Sequence, residues 1–111
     1  MELARAVVDA LEEKKGEDIV LLDIHEIASF TDFFVICTGT SDRMLDSLAR
    51  GVVESIKAEF DLKGHIEGQP KDGWLVVDFG DVVVHLLSPD QRDYYDLEGL
   101  WVEGKTLLRL Q

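Results

Sequence analysis

The chain has 111 residues and a mass of 12.5 kDa, which is the size of one domain. Hydrophobic residues make up 46% and charged residues 31%, so the composition is that of a globular protein and excludes a disordered one. With 23 acidic and 11 basic side chains the net charge is −12, which disfavours general binding to nucleic acids or anionic lipids. No basic stretch followed by an apolar segment opens the chain, so we expect a soluble, cytoplasmic protein that does not bind membranes.

The first half of the chain predicts two helices and two buried strands. Apolar residues at helical spacing predict a helix over 2–15, which two lysines and a glycine close. The uninterrupted apolar runs 19–22 and 33–37 predict strands that are covered on both faces, the first of them central. A long amphipathic helix follows, with Ser41 as its N-cap and its end near residue 64.

The middle of the chain predicts an edge strand and a hairpin. Glycine and proline within 65–73 allow only a loop with a short edge strand. The β-rich runs 74–78 and 81–87 predict two strands joined by the two-residue turn Phe79-Gly80. In that register Trp74 lies opposite His85, on a sheet face that they share with Val76, Asp78, Asp81 and Val83.

The C-terminal part predicts short helices and a tail. Ser88 followed by Pro89 predicts the N-cap and first position of a short helix, with Gln91 three residues after the cap. Residues 96–101 add about one further helical turn. Residues 102–111 are expected to form a C-terminal tail that either docks or frays.

No residue pattern supports a catalytic or metal site. Cys37 is the single cysteine, and we expect a buried thiol that acts as a small hydrophobe. His25, His65 and His85 lack the helical pairing or the cysteine partners of zinc sites. Asp78-Phe79-Gly80 spells the metal-binding triplet of kinases, but the chain is too short for a kinase and lacks its glycine loop. We therefore predict no catalytic residues, no metal and no cofactor.

One turn leaves an enzymatic alternative open. Thr38-Gly39-Thr40-Ser41 carries a glycine ahead of a helix N-terminus, where free backbone N–H groups can bind an anion. Phosphate transfer would also need a P-loop lysine and an Asp-x-Asp pair on a strand after the second helix, and both are missing. A nucleotide-binding or nucleotidyltransferase-like enzyme that uses the Gly39 to Ser41 turn is the alternative function.

Aromatic and apolar residues interleaved with acids mark the second half of the chain. They are Trp74, Tyr94, Tyr95, Leu97, Leu100 and Trp101. Large rings are typical of protein interfaces, although Tyr95, Leu97 and Trp101 could equally pin the C-terminal segment onto the sheet. Between residues 78 and 104, seven acids accompany a single base, Arg92, which suits a basic partner.

Four segments together resemble the Iojap, or ribosomal silencing factor (RsfS), family. They are DIVLLD (18–23), TDFFVICTGTSDR (31–43), GWLVVDFGDVVVH (73–85) and RDYYDLEGLW (92–101). The resemblance covers nearly the whole chain up to Trp101. It implies a single α/β domain over 1–111 with an ordered core of about 2–101. The fold it implies is similar to nucleotidyltransferases, with a mixed β-sheet and packed helices but without their catalytic carboxylates.

The resemblance also implies a function that is not enzymatic. Members of the family bind the large ribosomal subunit at ribosomal protein uL-fourteen and sterically block joining of the small subunit, which represses translation when nutrients are scarce. Carried over by motif, the partner-binding residues are Trp74, Asp78, His85, Tyr94, Tyr95, Asp96, Leu97 and Trp101. We expect no direct contact with DNA. The exposed sheet face is partly apolar, and a two-fold contact between two copies could cover it. Homodimer formation by the free protein is therefore an open alternative.

Overall fold

The computed structural model describes residues 1–100 and 105–110. The first elements are α1 (Glu2–Glu13), β1 (Glu17–Asp23), β2 (Phe33–Thr38), α2 (Asp42–Phe60) and β3 (His65–Gln69). A short 3₁₀ turn (Pro70–Asp72) leads to β4 (Trp74–Asp78), β5 (Val82–Leu87), α3 (Pro89–Tyr95), α4 (Leu97–Leu100) and β6 (Lys105–Leu110).

The six strands form one mixed sheet in the order β3-β4-β5-β2-β1-β6. Only β2 and β5 run parallel to each other, and all other neighbours in the described sheet are antiparallel. The predicted α/β fold with a mixed sheet is therefore confirmed. β1 lies inside the sheet because β6, which falls in the segment expected as a tail, pairs along its outer edge. Leu108 and Leu110 of β6 pack against the core.

Helices α1 and α2 cover one face of the sheet and enclose the larger apolar core. Ser41 caps α2 as predicted, because its Oγ accepts a hydrogen bond from the Met44 N–H at 3.1 Å. α2 ends at Phe60, earlier than predicted, because Asp61 takes a left-handed conformation with φ 53°. Among the residues described, no helix combines the length and apolar character needed to cross a bilayer.

The end of α1 differs from the prediction in a way that explains Gly16. The helix stops at Glu13, and Lys15 rather than the glycine takes the left-handed conformation, with φ 66°. The Gly16 N–H donates to the Leu11 carbonyl oxygen at 2.9 Å, which completes a Schellman motif. A Cβ at Gly16 would collide with Cys37 Sγ and press on Leu48. Position 16 therefore requires glycine because two parts of the chain approach closely there.

Gly16→Ala is expected to lower the free energy of unfolding by about 2 kcal/mol, because the added methyl overpacks a filled region of the core. Urea denaturation measures this loss. Gly51→Ala in α2 is the matched control, since its methyl would meet only the flexible side chain of Lys14 and gains helix propensity. If the two variants are equally stable, the close approach at Gly16 does not constrain the fold.

The β4–β5 hairpin forms, but the predicted register is wrong by two residues. Asp78 pairs with Val83 instead of Asp81, and Trp74 pairs with Leu87 instead of His85. The turn is Gly80-Asp81 rather than Phe79-Gly80, because the Phe79 ring is buried in the core, where it packs directly over Gly64. A shift of two keeps every side chain on its face, so the predicted division of the two faces still holds.

Candidate functional site

The sheet face opposite α1 and α2 carries a second, smaller apolar cluster. Its buried members are Val20, Leu22, Ile24, Phe34, Ile36, Val83, Leu87 and Leu97. The segment 24–32 contributes Ile24 and Ala28 to this cluster, and α4 contributes Leu97. Trp74 and Val76 of β4 pack against the cluster but stay partly exposed. The apolar side chains that β1, β2 and β5 place on this face are therefore buried, and the face stays partly exposed along β4.

Among the described residues, six rings form a continuous row across this face, which we call the aromatic strip. In order they are Phe30, Phe34, His85, Trp74, Tyr95 and Tyr94, and neighbouring ring centroids lie 4.5 to 5.9 Å apart. These separations are those of direct aromatic contacts. The two ends of the strip are exposed, since Phe30 keeps 60% and Tyr94 keeps 79% of its accessible surface.

A hydrogen bond between Trp74 and His85 orders the middle of the strip. Trp74 Nε1–H donates to His85 Nδ1 at 3.2 Å, across a diagonal of the β4–β5 pair. Because the indole N–H can only donate, Nδ1 must be the acceptor, and the proton of the neutral ring sits on Nε2. Burial lowers the pKa of His85 to about 4, so the imidazole is uncharged at neutral pH. The ring also packs edge-on against Phe34.

The capping sequence that predicts a helix start builds the Tyr94 end of the strip. Ser88 Oγ accepts from the Gln91 N–H at 3.3 Å, and Pro89 occupies the first turn, which confirms the predicted N-terminus of α3. The helix carries Tyr95 onto Trp74, with centroids 4.5 Å apart. Tyr94 then packs edge-on against Tyr95 and extends into solvent.

Arg92 anchors α3 to the sheet from within. Its Nη1 donates to the Asp18 carbonyl oxygen at 2.6 Å and to Thr38 Oγ1 at 2.9 Å. The Asp18 carboxylate lies 3.6 Å from Arg92 Nη2 and 3.2 Å from Arg109 Nη2 of β6. These groups line a polar cavity of about 550 Å³. Sequence reasoning identified Arg92 only as the single base of an acidic stretch, because partners from β1 and β2 leave no local signal.

The structure brings four of the eight expected partner-binding residues into contact. Trp74, His85, Tyr94 and Tyr95 are consecutive neighbours in the aromatic strip. Their arrangement as a contact surface stays a prediction, which the exposure of Tyr94 and Tyr95 supports.

The other four expected residues are not rings of the strip or lie outside the described residues. Leu97 is 8% exposed and packs in the second cluster, which is the pinning role that the sequence left open. Asp78 lies at the far end of β4 from Trp74 and accepts from the Gly80 N–H at 2.7 Å. Asp96 takes a left-handed conformation that ends α3. Trp101 lies outside the described residues.

Two rings of the strip, Phe30 and Phe34, were missed from the sequence. The sequence predicts a buried strand at Phe34 and a loop at Phe30. They join the strip because β2 pairs parallel with β5, which sets Phe34 against Val83 and next to His85. The only sequence signal was the alternation within β2, which sends Phe34 and Ile36 to the face opposite Phe33.

The turn that suggested nucleotide binding is already engaged within the protein. The Gly39 N–H donates to the Leu87 carbonyl oxygen at 3.0 Å, and Thr40 contacts Met44 Sδ. Burial raises the pKa of the Cys37 thiol to about 12, so this cysteine is a poor nucleophile. Across 1–100 and 105–110, no group of histidine, cysteine and acidic side chains is placed to hold a metal ion.

Comparison with known proteins identifies the family. The family model for RsfS, described as ribosomal silencing factor during starvation, matches residues 1–110. The ribosomal silencing factor of Chromobacterium violaceum is 42% identical over 101 residues, which cover 90% of this chain and 82% of the relative. A crystal structure from the same organism matches with a TM-score of 0.85 and 39% identity, and the match covers 90% of this chain and 83% of that one. A mouse protein named mitochondrial assembly of ribosomal large subunit protein 1 is 38% identical over 98 residues, 86% of this chain and 43% of its own. The chain therefore belongs to the ribosomal silencing factor family, as its motifs indicated.

Proposed function

We propose that this protein binds ribosomal protein uL-fourteen on the large ribosomal subunit and sterically prevents the small subunit from joining. Membership of the RsfS family gives it a ribosome-associated role in silencing translation. The mouse relative, whose name refers to the ribosomal large subunit, supports that subunit as the partner. This role belongs to the cytoplasm, and steric exclusion needs no catalytic residue, metal or cofactor.

One observation carries this proposal. The exposed Tyr94 end of the aromatic strip lies on a helical segment whose exposed charged residues are all acidic. Asp90, Asp93 and the C-cap Asp96 are exposed, whereas Arg92 is buried and turned towards Asp18. α3 therefore presents Tyr94 and Tyr95 to solvent among negative charges alone. Exposed rings flanked by acids on α3 suit a basic protein surface, and these acids repel RNA phosphates.

Tyr94→Ala is expected to weaken binding to the isolated large subunit at least tenfold, because an exposed ring at an interface is a frequent anchor. Co-sedimentation through sucrose gradients measures the affinity, and the same gradients score free subunits against joined ribosomes. Tyr94→Phe is the matched control, since it keeps the ring and should keep binding. Equal co-sedimentation of Tyr94→Ala and the wild type would remove Tyr94 from the contact surface.

A homodimer of the free protein stays a prediction. The exposed part of the aromatic strip is the apolar surface that a two-fold contact would cover. A dimer of this kind would compete with docking on the ribosome, because both would use the same rings.

A further inference from the structure

Phe30 is a large apolar side chain that packs against Phe34 and keeps more than half of its surface exposed. It lies in the segment 24–32 between β1 and β2 and keeps 60% of its surface exposed, and Ile27 in the same segment keeps 39%. Single exposed apolar residues are common on protein surfaces. Phe30 differs from such residues because it is held at a fixed position beside a surface that we propose binds a protein. Its exposure is therefore better explained by a role in binding.

The segment that carries Phe30 is held by hydrogen bonds at both ends. The Ile27 and Ala28 N–H groups donate to the Ile24 carbonyl oxygen at 3.0 and 2.9 Å, and the Ile24 N–H donates to the Asp32 carbonyl oxygen at 2.9 Å. Ile24 itself is buried in the second cluster. Because the backbone is already ordered, binding through Phe30 would cost little conformational entropy.

Phe30 belongs to the same row of rings as Tyr94. Its ring lies 5.8 Å from that of Phe34, which contacts His85 at 4.7 Å, and the row continues to Trp74 and the tyrosines. β2 and β4 are separated by β5 alone, so the two ends of the sheet part of the strip are roughly 10 Å apart. The five separations along the row place Phe30 and Tyr94 no more than about 26 Å apart, which an interface of standard size, about 800 Å² on each partner, can span.

The charges beside Phe30 match those beside Tyr94. Glu26 and Asp32 are exposed in the same segment, which contains no lysine or arginine. Its one basic side chain, His25, is paired with Asp23 at 2.6 Å, and this hydrogen bond raises the pKa of His25. Both exposed ends of the strip therefore combine an apolar ring with acids. A basic protein surface complements both ends at once, whereas a nucleic acid would be repelled at both.

We propose that Phe30 is a second anchor for the same ribosomal protein partner, at the opposite end of the aromatic strip from Tyr94. This inference rests on the proposed function. The partner surface must then present two apolar contact points within one basic patch, one for Phe30 and one for Tyr94. Binding through two separated anchors also sets the orientation of the protein on the subunit.

Phe30→Ala should weaken binding to the isolated large subunit about tenfold at fixed salt, and the double variant with Tyr94→Ala about a hundredfold. Ile66→Ala is the matched control, since Ile66 is 43% exposed on the edge strand β3 and should bind within twofold of the wild type. Thermal melting of all variants verifies that each one is folded.

The outcomes separate this inference from the function on which it rests. If the wild type does not co-sediment with the large subunit, the proposed function fails and the inference falls with it. If the wild type binds and Phe30→Ala binds equally well, only the inference is overturned. If Phe30→Ala abolishes self-association in sedimentation equilibrium and leaves subunit binding unchanged, a second copy of this chain is the occupant, which also overturns it.

Discussion

The protein is expected to lose about 3 kcal/mol of its free energy of unfolding between pH 6.5 and pH 4 through His85 alone. Burial lowers the pKa of His85 from 6.5 to about 4 in the folded protein. Below pH 6.5 the unfolded chain therefore takes up a proton that the folded protein refuses, and this stabilises the unfolded state. The loss is complete near the folded pKa, below which both states are protonated.

Urea denaturation at pH 7, 5.5 and 4 measures this effect when the wild type is compared with His85→Asn. The asparagine Oδ1 can still accept the Trp74 N–H but does not titrate. The contributions of the carboxylates are shared by both proteins and cancel in the difference. If the free energy of unfolding changes with pH by the same amount in both proteins, His85 is not buried as a neutral ring. Protonation also removes the acceptor at Nδ1, so acid should loosen the Trp74 contact first.

Arg92→Met is expected to lower the free energy of unfolding by about 3 kcal/mol. The substitution leaves the Asp18 carbonyl oxygen and Thr38 Oγ1 without the guanidinium that donates to them inside the protein. The carboxylate of Asp18 is partly exposed, so its ion pair with Arg92 adds less than the two hydrogen bonds. Chemical denaturation at neutral pH measures the loss.

Arg109→Met is the matched control for Arg92→Met. Arg109 pairs with the same aspartate, but its side chain is 44% exposed, so its removal should cost less than about 1 kcal/mol. Arg92→Lys should fall between the two, because one ammonium group cannot reproduce the fork of the guanidinium. If Arg92→Met is as stable as Arg109→Met, Arg92 does not anchor α3, and other contacts, such as the Trp74 ring and the Gln91 hydrogen bond to the Asp72 carbonyl oxygen, set the positions of Tyr94 and Tyr95.

The elements that local chemistry determines could be predicted from the sequence. Uninterrupted apolar runs identified β1 and β2, and side-chain caps identified the starts of α2 and α3 at Ser41 and Ser88. Alternation in the hairpin assigned Trp74 and His85 to one face, which holds although the register does not. Each of these signals lies within a few residues of the chain, which is why the sequence alone carries it.

The remaining features depend on contacts between distant residues. The hairpin turn lies one residue later than predicted because the Phe79 ring packs over Gly64. The segment after residue 104, predicted as a tail, forms the strand β6 because it pairs with the edge of β1. Phe34 met His85 only through the parallel pairing of β2 with β5. Half of the expected contact residues lie in the aromatic strip, whereas the exposed ring at Phe30 carried no local signal.

The docking of β6 also bears on how the protein avoids aggregation. β1 is a strongly apolar strand, and its backbone edge would template the addition of strands from other molecules if it were bare. β6 covers that edge and is an outer strand that carries Arg109, while β3 at the other side has five residues and a positive φ of 93° at Gly68. Charged or distorted rims disfavour edge-to-edge growth of the sheet. The face of the sheet, rather than its rim, is thus the surface open to another protein.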